Sequence, residues 1–313
     1  NEKFLEAIRS SKDSFLVRTY INAGKYYSYL GENDSAGYYF QQALAESDKL
    51  RYTDGIILSN LRLGEYMLSR GDLQAAMRYL MQGLPLAEQH QKEKMTGVIK
   101  RDIGLIYDFQ EDDSSALPYF KEAEMVMENI KDTANIINVY IDLMGCYAQL
   151  GDSIAAEDYG TRAATLCNTG ISHLLERGKG LPEDELAGEM APWMDKKIII
   201  LYNRIPYLQS ASATGNLLQD ALQTKQLLGN TDNDNFIFRI EVILARLYEK
   251  LDRHPEAIQY GEHAMKVYDA KQFPEIYADL LLSLQRSYMI TGNPAKAYHY
   301  LHDYTIIKDS MNT

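Results

Sequence analysis

The chain is poor in the residues from which most catalytic and redox sites are built. It holds two cysteines, one tryptophan and six histidines in 313 residues. Two cysteines exclude a disulfide framework. The helical reading developed below sets Cys146 and Cys167 at different heights on an antiparallel pair, which favours two buried small hydrophobes over a bridge. The redox compartment stays open. No apolar run nears the roughly 18 residues needed to cross a bilayer. The longest candidate is Ile-Ile-Ile-Leu at 198–201, so no membrane span is expected. Basic charge is also short, with 32 Lys and Arg against 44 Asp and Glu and a net charge of −12. Such a surface repels phosphate backbones, and nucleic acid is not an expected partner of this segment.

Chemistry-bearing motifs are equally sparse. His299 and His302 lie three apart beside Asp303, but spacing supplies no third ligand, so a solvated face is the reading rather than a metal site. Gly178-Lys179-Gly180 lacks the length and the trailing hydroxyl residue of a phosphate loop. Glu183, Asp184 and Glu185 follow Pro182 as first-turn acids favoured by the helix dipole. No nucleophile stands beside a recognisable base. The expectation is a protein without catalytic residues, cofactor or metal.

What the sequence has instead is periodicity. Ala36, Ala76, Ala116 and Ala156 step by 40 residues, and Ala257 and Ala297 are again 40 apart. Three residues after each stands a tyrosine: Tyr39, Tyr79, Tyr119, Tyr159, Tyr260 and Tyr300. Nine residues before them stand Tyr27, Tyr107, Tyr147, Tyr248 and Tyr288, with Met67 the exception. Gly31, Gly71, Gly151 and Gly292 precede their alanines by five. Apolar residues recur at spacings of three and four on either side of a short Gly-Asp type turn, so each unit reads as helix, turn, helix. Asp13-Ser14, Thr53-Asp54 and Asp132-Thr133 read as start signals of first helices.

At these residues the chain resembles the tetratricopeptide repeat (TPR) family. The family pattern stands as Gly24, Tyr27, Ala36, Phe40 and Ala43, as Gly104, Tyr107, Ala116, Phe120 and Ala123, and more loosely as Gly64, Ala76, Leu80 and Gly83. The resemblance covers nearly the whole chain, and its last helix is similar to the final repeat of bacterial TPR-bearing sensor kinases and regulators. It departs in having a 40-residue period where about 34 is usual, and in lacking the first-helix Trp, replaced by Tyr20 and Tyr140 in two units. The resemblance implies an all-α, right-handed superhelical solenoid of antiparallel helix pairs. Gly and Ala let paired helices approach, and aromatics fill the space beside them.

The repeats are not uniform. The step from Ala156 to Ala257 is not a multiple of 40. The expected division is a helix tail over 1–13, four regular repeats over 14–169, an irregular insertion over 170–192, a degenerate repeat over 193–230 and two repeats over 231–313. Pro206 should kink or end the first helix of the degenerate unit, and Ala221 is read as its marker alanine. The insertion is rich in Gly and Pro, carries several large apolar residues and runs up to Trp193. It either contacts a ligand or fills a gap in the stack. The chain opens on Asn1, and both ends read as cut from a longer protein.

In TPR proteins ligands lie along a concave face lined by first helices. Carried over residue by residue, those positions are Arg18, Lys25 and Tyr29, then Arg62 and Glu65, then Arg101, Asp108 and Phe109, and in the late repeats Arg239, Arg246 and Arg286. Trp193 is the expected contact from the insertion. An Arg-bearing groove suits an extended peptide or a carboxylate-bearing protein. The competing expectation is that these arginines pair with neighbouring acids. The functional expectation is a non-enzymatic scaffold binding a peptide or protein, as the sensing or interaction module of a bacterial signal-transduction protein. A structural or assembly scaffold that self-associates, for example as a homodimer, is the alternative. Compartment is open, periplasmic for a membrane-anchored sensor and otherwise cytoplasmic.

Overall fold

The computed structural model of the chain describes residues 2–229, 233–267 and 273–311, with side chains from Ser14 onward apart from Glu183 and Val267. The expected boundary at 230/231 falls outside the described residues, and of residues 2–13 only the backbone is described. The described residues form two compact units, 1–152 and 153–313. Both are built of α-helices, with one 3-10 turn and no strand among the described residues.

The first unit contains α1 (Glu2–Tyr29), α2 (Asn33–Leu50), α3 (Thr53–Ser69), α4 (Leu73–Gln89), α5 (Glu93–Phe109), α6 (Asp113–Asn129) and α7 (Thr133–Gln149). From α3 to α7 every helix has 17 residues. Two such helices and two three-residue turns make the 40-residue period. The turns themselves repeat every 20 residues. A left-handed residue stands at Gly31, Arg51, Gly71, Gln91, Glu111, Lys131 and Gly151. The N–H of the residue after it returns to a carbonyl five residues back, as from Asp72 to Met67 (3.0 Å) and from Asp112 to Tyr107 (2.9 Å). This satisfies carbonyls that the helix end leaves open. Glycine is therefore the natural residue at turns such as Gly71 (φ +73°), whereas Glu111 (φ +58°) holds the same conformation against its Cβ.

Aspartates after the turns cap the next helix. Asp72 accepts from the Ala75 N–H (2.9 Å), Asp112 from Ser115 (3.1 Å) and Asp132 from Asn135 (3.3 Å). Two of the expected start signals behave otherwise. The N-cap of α3 is Tyr52, which makes no side-chain cap bond, and Asp54 is a first-turn acid. Asp13-Ser14 lies inside α1, which runs through it without a break.

The second unit contains α8 (Ser153–Arg177), α9 (Glu183–Arg204), α10 (Ala211–Leu228), α11 (Asp234–Lys250), α12 (His254–Val267), α13 (Pro274–Ile290) and α14 (Pro294–Met311). α9 ends where Pro206 enters a 3-10 turn, Ile205–Tyr207, because Pro has no N–H to continue the ladder. The stretch between Cys167 and Trp193 is mostly helical: α8 continues to Arg177, and α9 restarts at Glu183 after Gly180, whose φ is +99°. By helix register the residue equivalent to the marker alanines in α10 is Thr214, the fourth residue, and not Ala221. Ser210 caps this helix as Asp72 caps α4. Thr214 is buried like the alanines it replaces.

The marker columns are packing seams. All six marker alanines are fully or almost fully buried. A Cβ placed on Gly24, Gly64 or Gly104 would stand 2.5–2.6 Å from Phe40, Leu80 or Phe120. The paired helices therefore touch through these glycines. The tyrosine columns meet across each hairpin as stacked rings: Tyr27 on Tyr39 (5.3 Å), Tyr107 on Tyr119 (5.6 Å), Tyr248 on Tyr260 (5.4 Å) and Tyr288 on Tyr300 (5.7 Å). Such offset pairs add about 0.5–1.5 kcal/mol each beyond area burial. Cys146 and Cys167 are both buried free thiols, and burial pushes them up to about 12 and about 11 respectively.

Candidate functional site

The positions carried over from the family as ligand contacts lie on the first helices. In the first unit these are α1, α3 and α5. Arg18 and Lys25 are exposed about two helical turns apart on α1. Lys25 and Glu65 share one register position, eleven residues before their marker alanine, and Arg246 and Arg286 share it in the second unit. Arg18 and Arg239 share another, eighteen before. Tyr29 and Phe109 are different. Each is the last residue of its helix and strongly exposed, at the helix ends rather than along the face.

Five of the six carried-over arginines are ion-paired. Arg62 bonds Glu65 one turn along α3 (2.5 Å). Arg101 on α5 reaches Asp142 on α7 through two nitrogens, Nε at 2.5 Å and Nη2 at 3.3 Å. In the second unit Arg239 on α11 pairs with Asp195 on α9 (2.5 Å), Arg246 with Asp279 on α13 (2.7 Å), and Arg286 on α13 with Glu249 on α11 (3.1 Å). Arg246 also lies over the Tyr202 ring (4.8 Å), whose hydroxyl donates to Asp279 (2.6 Å). These are mostly bridges between successive first helices, so they tie one hairpin to the next as well as decorating a surface.

The acidic halves of these pairs, Asp142, Asp195, Asp279 and Glu249, are the residues that inspection of the sequence overlooked. A signal was available: Arg101 and Asp142 are 41 apart and Arg62 and Asp102 are 40 apart, one period in each case. Asp102 is the most unusual. It is 3% exposed, Arg101 is 3.6 Å away, and its Oδ2 accepts no hydrogen bond. Burial pushes its carboxyl up to about 7, Arg101 opposes this, and Glu65 and Asp142 reinforce it. Asp108 is raised to about 6 by burial and by the neighbouring Asp113. Around Arg62 and Arg101 the carboxylates Glu65, Asp102 and Asp142 thus outnumber the cations. Between Asp142 and the end of α7 lies Gly145, a mid-helix glycine with no atom within 4 Å of a Cβ built on it.

Trp193 does not face this surface. Its ring packs on Gly170 of α8, where a Cβ would stand 2.1 Å from it, and its carbonyl lies 3.4 Å from the Cys167 Sγ. Two further buried ionic groups belong to the second unit. Lys197 donates to Asp220 (2.5 Å), and burial holds its amine below its ordinary range. Glu241 accepts from Lys225 (2.6 Å) and lies 2.5 Å from His263. Ser287, His254 and Asp252 fall in the order of a hydrolytic triad, with Oγ–Nδ1 at 3.3 Å and Nε2–Oδ1 at 3.9 Å. Ser287 has no exposed surface and Asp252 is almost wholly exposed. Such a serine offers nothing to a substrate. His299 and His302 both lie beside Asp303, at 3.5 and 3.6 Å. Among the described residues no group of three His, Cys, Asp or Glu is placed to hold a metal ion, and no helix is long and apolar enough to cross a membrane.

By sequence, no protein-family model and no curated protein matches the chain. By structure it is similar to solved helical-repeat proteins. The apo form of RapI superposes with a TM-score of 0.65 at 10% identity, covering 95% of this chain and 98% of RapI. A Rap protein complexed with competence and sporulation factor gives 0.57 at 13% identity, covering 94% and 75%. NprR in complex with its cognate peptide NprX gives 0.53 at 13%, covering 92% and 77%. The fold is that of the tetratricopeptide repeats. At these identities the likeness speaks for the TPR fold, and the ligand must be argued from the chain's own residues.

Proposed function

We propose that this TPR protein is a non-enzymatic scaffold that binds a peptide or another protein along the exposed face of its first helices. The observation that carries the reading is the arrangement of charge there: a charged ladder between successive first helices, on a fold whose seams absorb the aromatic and small residues. The NprR relative of the same fold was solved with its cognate peptide, which agrees with this use of the scaffold. The residues expected to meet the ligand are Arg18, Lys25, Arg62, Glu65, Arg101, Arg239, Arg246 and Arg286, with Tyr29, Asp108 and Phe109 as more peripheral positions; Trp193, packed on Gly170, is not among them. The sensing role in a bacterial signalling protein is part of the same proposal.

The ion pairs decide how to test it. Arg101 and Arg239 are embedded, and reversing them would disturb the stack. Arg18, Lys25 and Arg286 are exposed, so their reversal should leave the fold intact. Capture of a random decapeptide pool by the immobilised chain, compared with Arg18→Glu/Lys25→Glu and with Arg286→Glu, reads the groove directly. Capture that falls at least about tenfold, or 1.4 kcal/mol, in either variant supports the reading. Capture unchanged in both, yet lost on altering the outer helices, would move the site off this face.

Self-association is a second reading, favoured by one observation. Tyr26 on α1 is 60% exposed, whereas its register equivalents Ile106, Cys146, Leu247 and Ser287 are fully buried and Tyr66 is half-buried. Light scattering that shows a monomer at every concentration counts against it.

A further inference from the structure

The extra length of α8 and α9 builds a cavity that the repeat pattern does not call for. α8 has 25 residues and α9 has 22, against 17 in the helices of the regular repeats. The additional turns supply one side of the wall, through Leu175, Leu186 and Ala187. Leu175 comes from the end of α8, Leu186, Met190 and Met194 from the first half of α9, Leu228 from the end of α10 and Phe236 from the start of α11. Alanines and a further leucine complete the lining, so among the described residues every lining side chain is apolar. The volume is about 230 Å³. None of the proposed groove residues Arg239, Arg246 and Arg286 lines it.

Three physical arguments identify the ligand class. A dry apolar cavity of about 150 Å³ accepts benzene, and pockets for drug-sized ligands begin near 300 Å³. The space therefore suits one ring with a short substituent, or a branched aliphatic of similar bulk. Among the described residues no charged or hydrogen-bonding side chain lines it, so an ionic group entering it would lose hydration without a side-chain partner. Two methionines among the lining residues let the wall adapt to the ligand's outline. We propose that this cavity is a binding site for a small uncharged apolar molecule, separate from the peptide-binding face.

The test uses toluene as the probe and benzoate as its charged counterpart. Trp193 is the only tryptophan of the chain. It lies on α9 between Met190 and Met194, so its fluorescence reports occupancy, with isothermal titration calorimetry alongside. Saturable one-to-one toluene binding with a negative heat-capacity change, and benzoate at least about 100-fold weaker, is the expected result. Ala191→Phe, which fills the cavity from its own wall, should abolish toluene binding while circular dichroism and the thermal midpoint stay close to the parent. Ala187→Leu, at a more exposed lining position, is the second filling variant should the first fail to fold. Absence of saturable toluene binding, or binding that persists in a folded filled variant, overturns the site. Uptake of N-acetyl-leucinamide without toluene also overturns it, by making the pocket an anchor for peptide side chains. None of these results depends on whether the first-helix face binds a peptide.

Discussion

Two glycines in the first unit allow a direct test of what the repeat columns are for. Gly104 on α5 and Gly145 on α7 both sit in the interior of 17-residue helices. Replacing a mid-helix Gly by Ala should gain about 0.8–1 kcal/mol from backbone entropy alone. At Gly145 nothing opposes that gain, because no atom lies within 4 Å of the new Cβ. At Gly104 the new Cβ would stand 2.6 and 2.7 Å from two ring atoms of Phe120, where about 3.5–4.0 Å is comfortable. Phe120 is fully buried, so the ring would have to retreat about 1 Å into a packed seam. Overpacking of this kind costs about 1–3 kcal/mol. Gly145→Ala should therefore stabilise by up to about 1 kcal/mol, and Gly104→Ala should destabilise by about 0–2 kcal/mol. For a unit of this size 1 kcal/mol moves the thermal midpoint by roughly 2–4 °C, which scanning calorimetry or urea titration resolves. If Gly104→Ala raised the midpoint as much as Gly145→Ala, the close-approach explanation of the whole glycine column would be wrong.

Other expectations follow from the same geometry. Glu111→Gly should stabilise by about 1 kcal/mol in urea titration, since it relieves a Cβ held at φ +58°; a lower stability would mean that the turn is not the strained element. Asp102 carries a pH dependence. Its carboxyl titrates near 7 in the fold and at 3.8 in its unperturbed state, so between those values the folded chain holds a proton that the unfolded chain has released. Stability should fall as pH rises through that window, by at most about 1.4 kcal/mol per pH unit. Asp102→Asn should remove that slope, and a wild type and variant that track in parallel from pH 5 to pH 8 would refute it. Arg101→Met removes the largely buried Arg101–Asp142 ion pair and should cost about 3 kcal/mol. Arg286→Met, at an exposed pair, should cost less than about 1 kcal/mol. Equal losses by chemical denaturation would show that burial does not separate the two pairs.

The local rules were legible in the sequence for a physical reason. A helical hairpin buries the same face in every copy, so the seam demands the same small and aromatic residues at the same register, and a 40-residue step exposes them. Gly24 against Phe40 and Tyr27 against Tyr39 could be read as a recurring pattern before their distances were known. Pro206 ended its helix because a missing N–H acts wherever it stands. The turns were only half legible: Gly71 announces a left-handed residue, but Gln91 and Lys131 adopt the same conformation with nothing in their identity to say so. Tertiary structure decided the rest. Which carboxylate meets which arginine depends on side chains reaching from one first helix to another, so Arg101 with Asp142 and Arg239 with Asp195 emerged only from the fold. The same holds for Asp102, whose lack of a hydrogen-bond partner is a property of its surroundings. The Gly- and Pro-rich stretch after Cys167 is irregular by composition, yet its apolar residues prolong two helices and line a cavity that opens to solvent, because burial across α8–α11 outweighs local propensity.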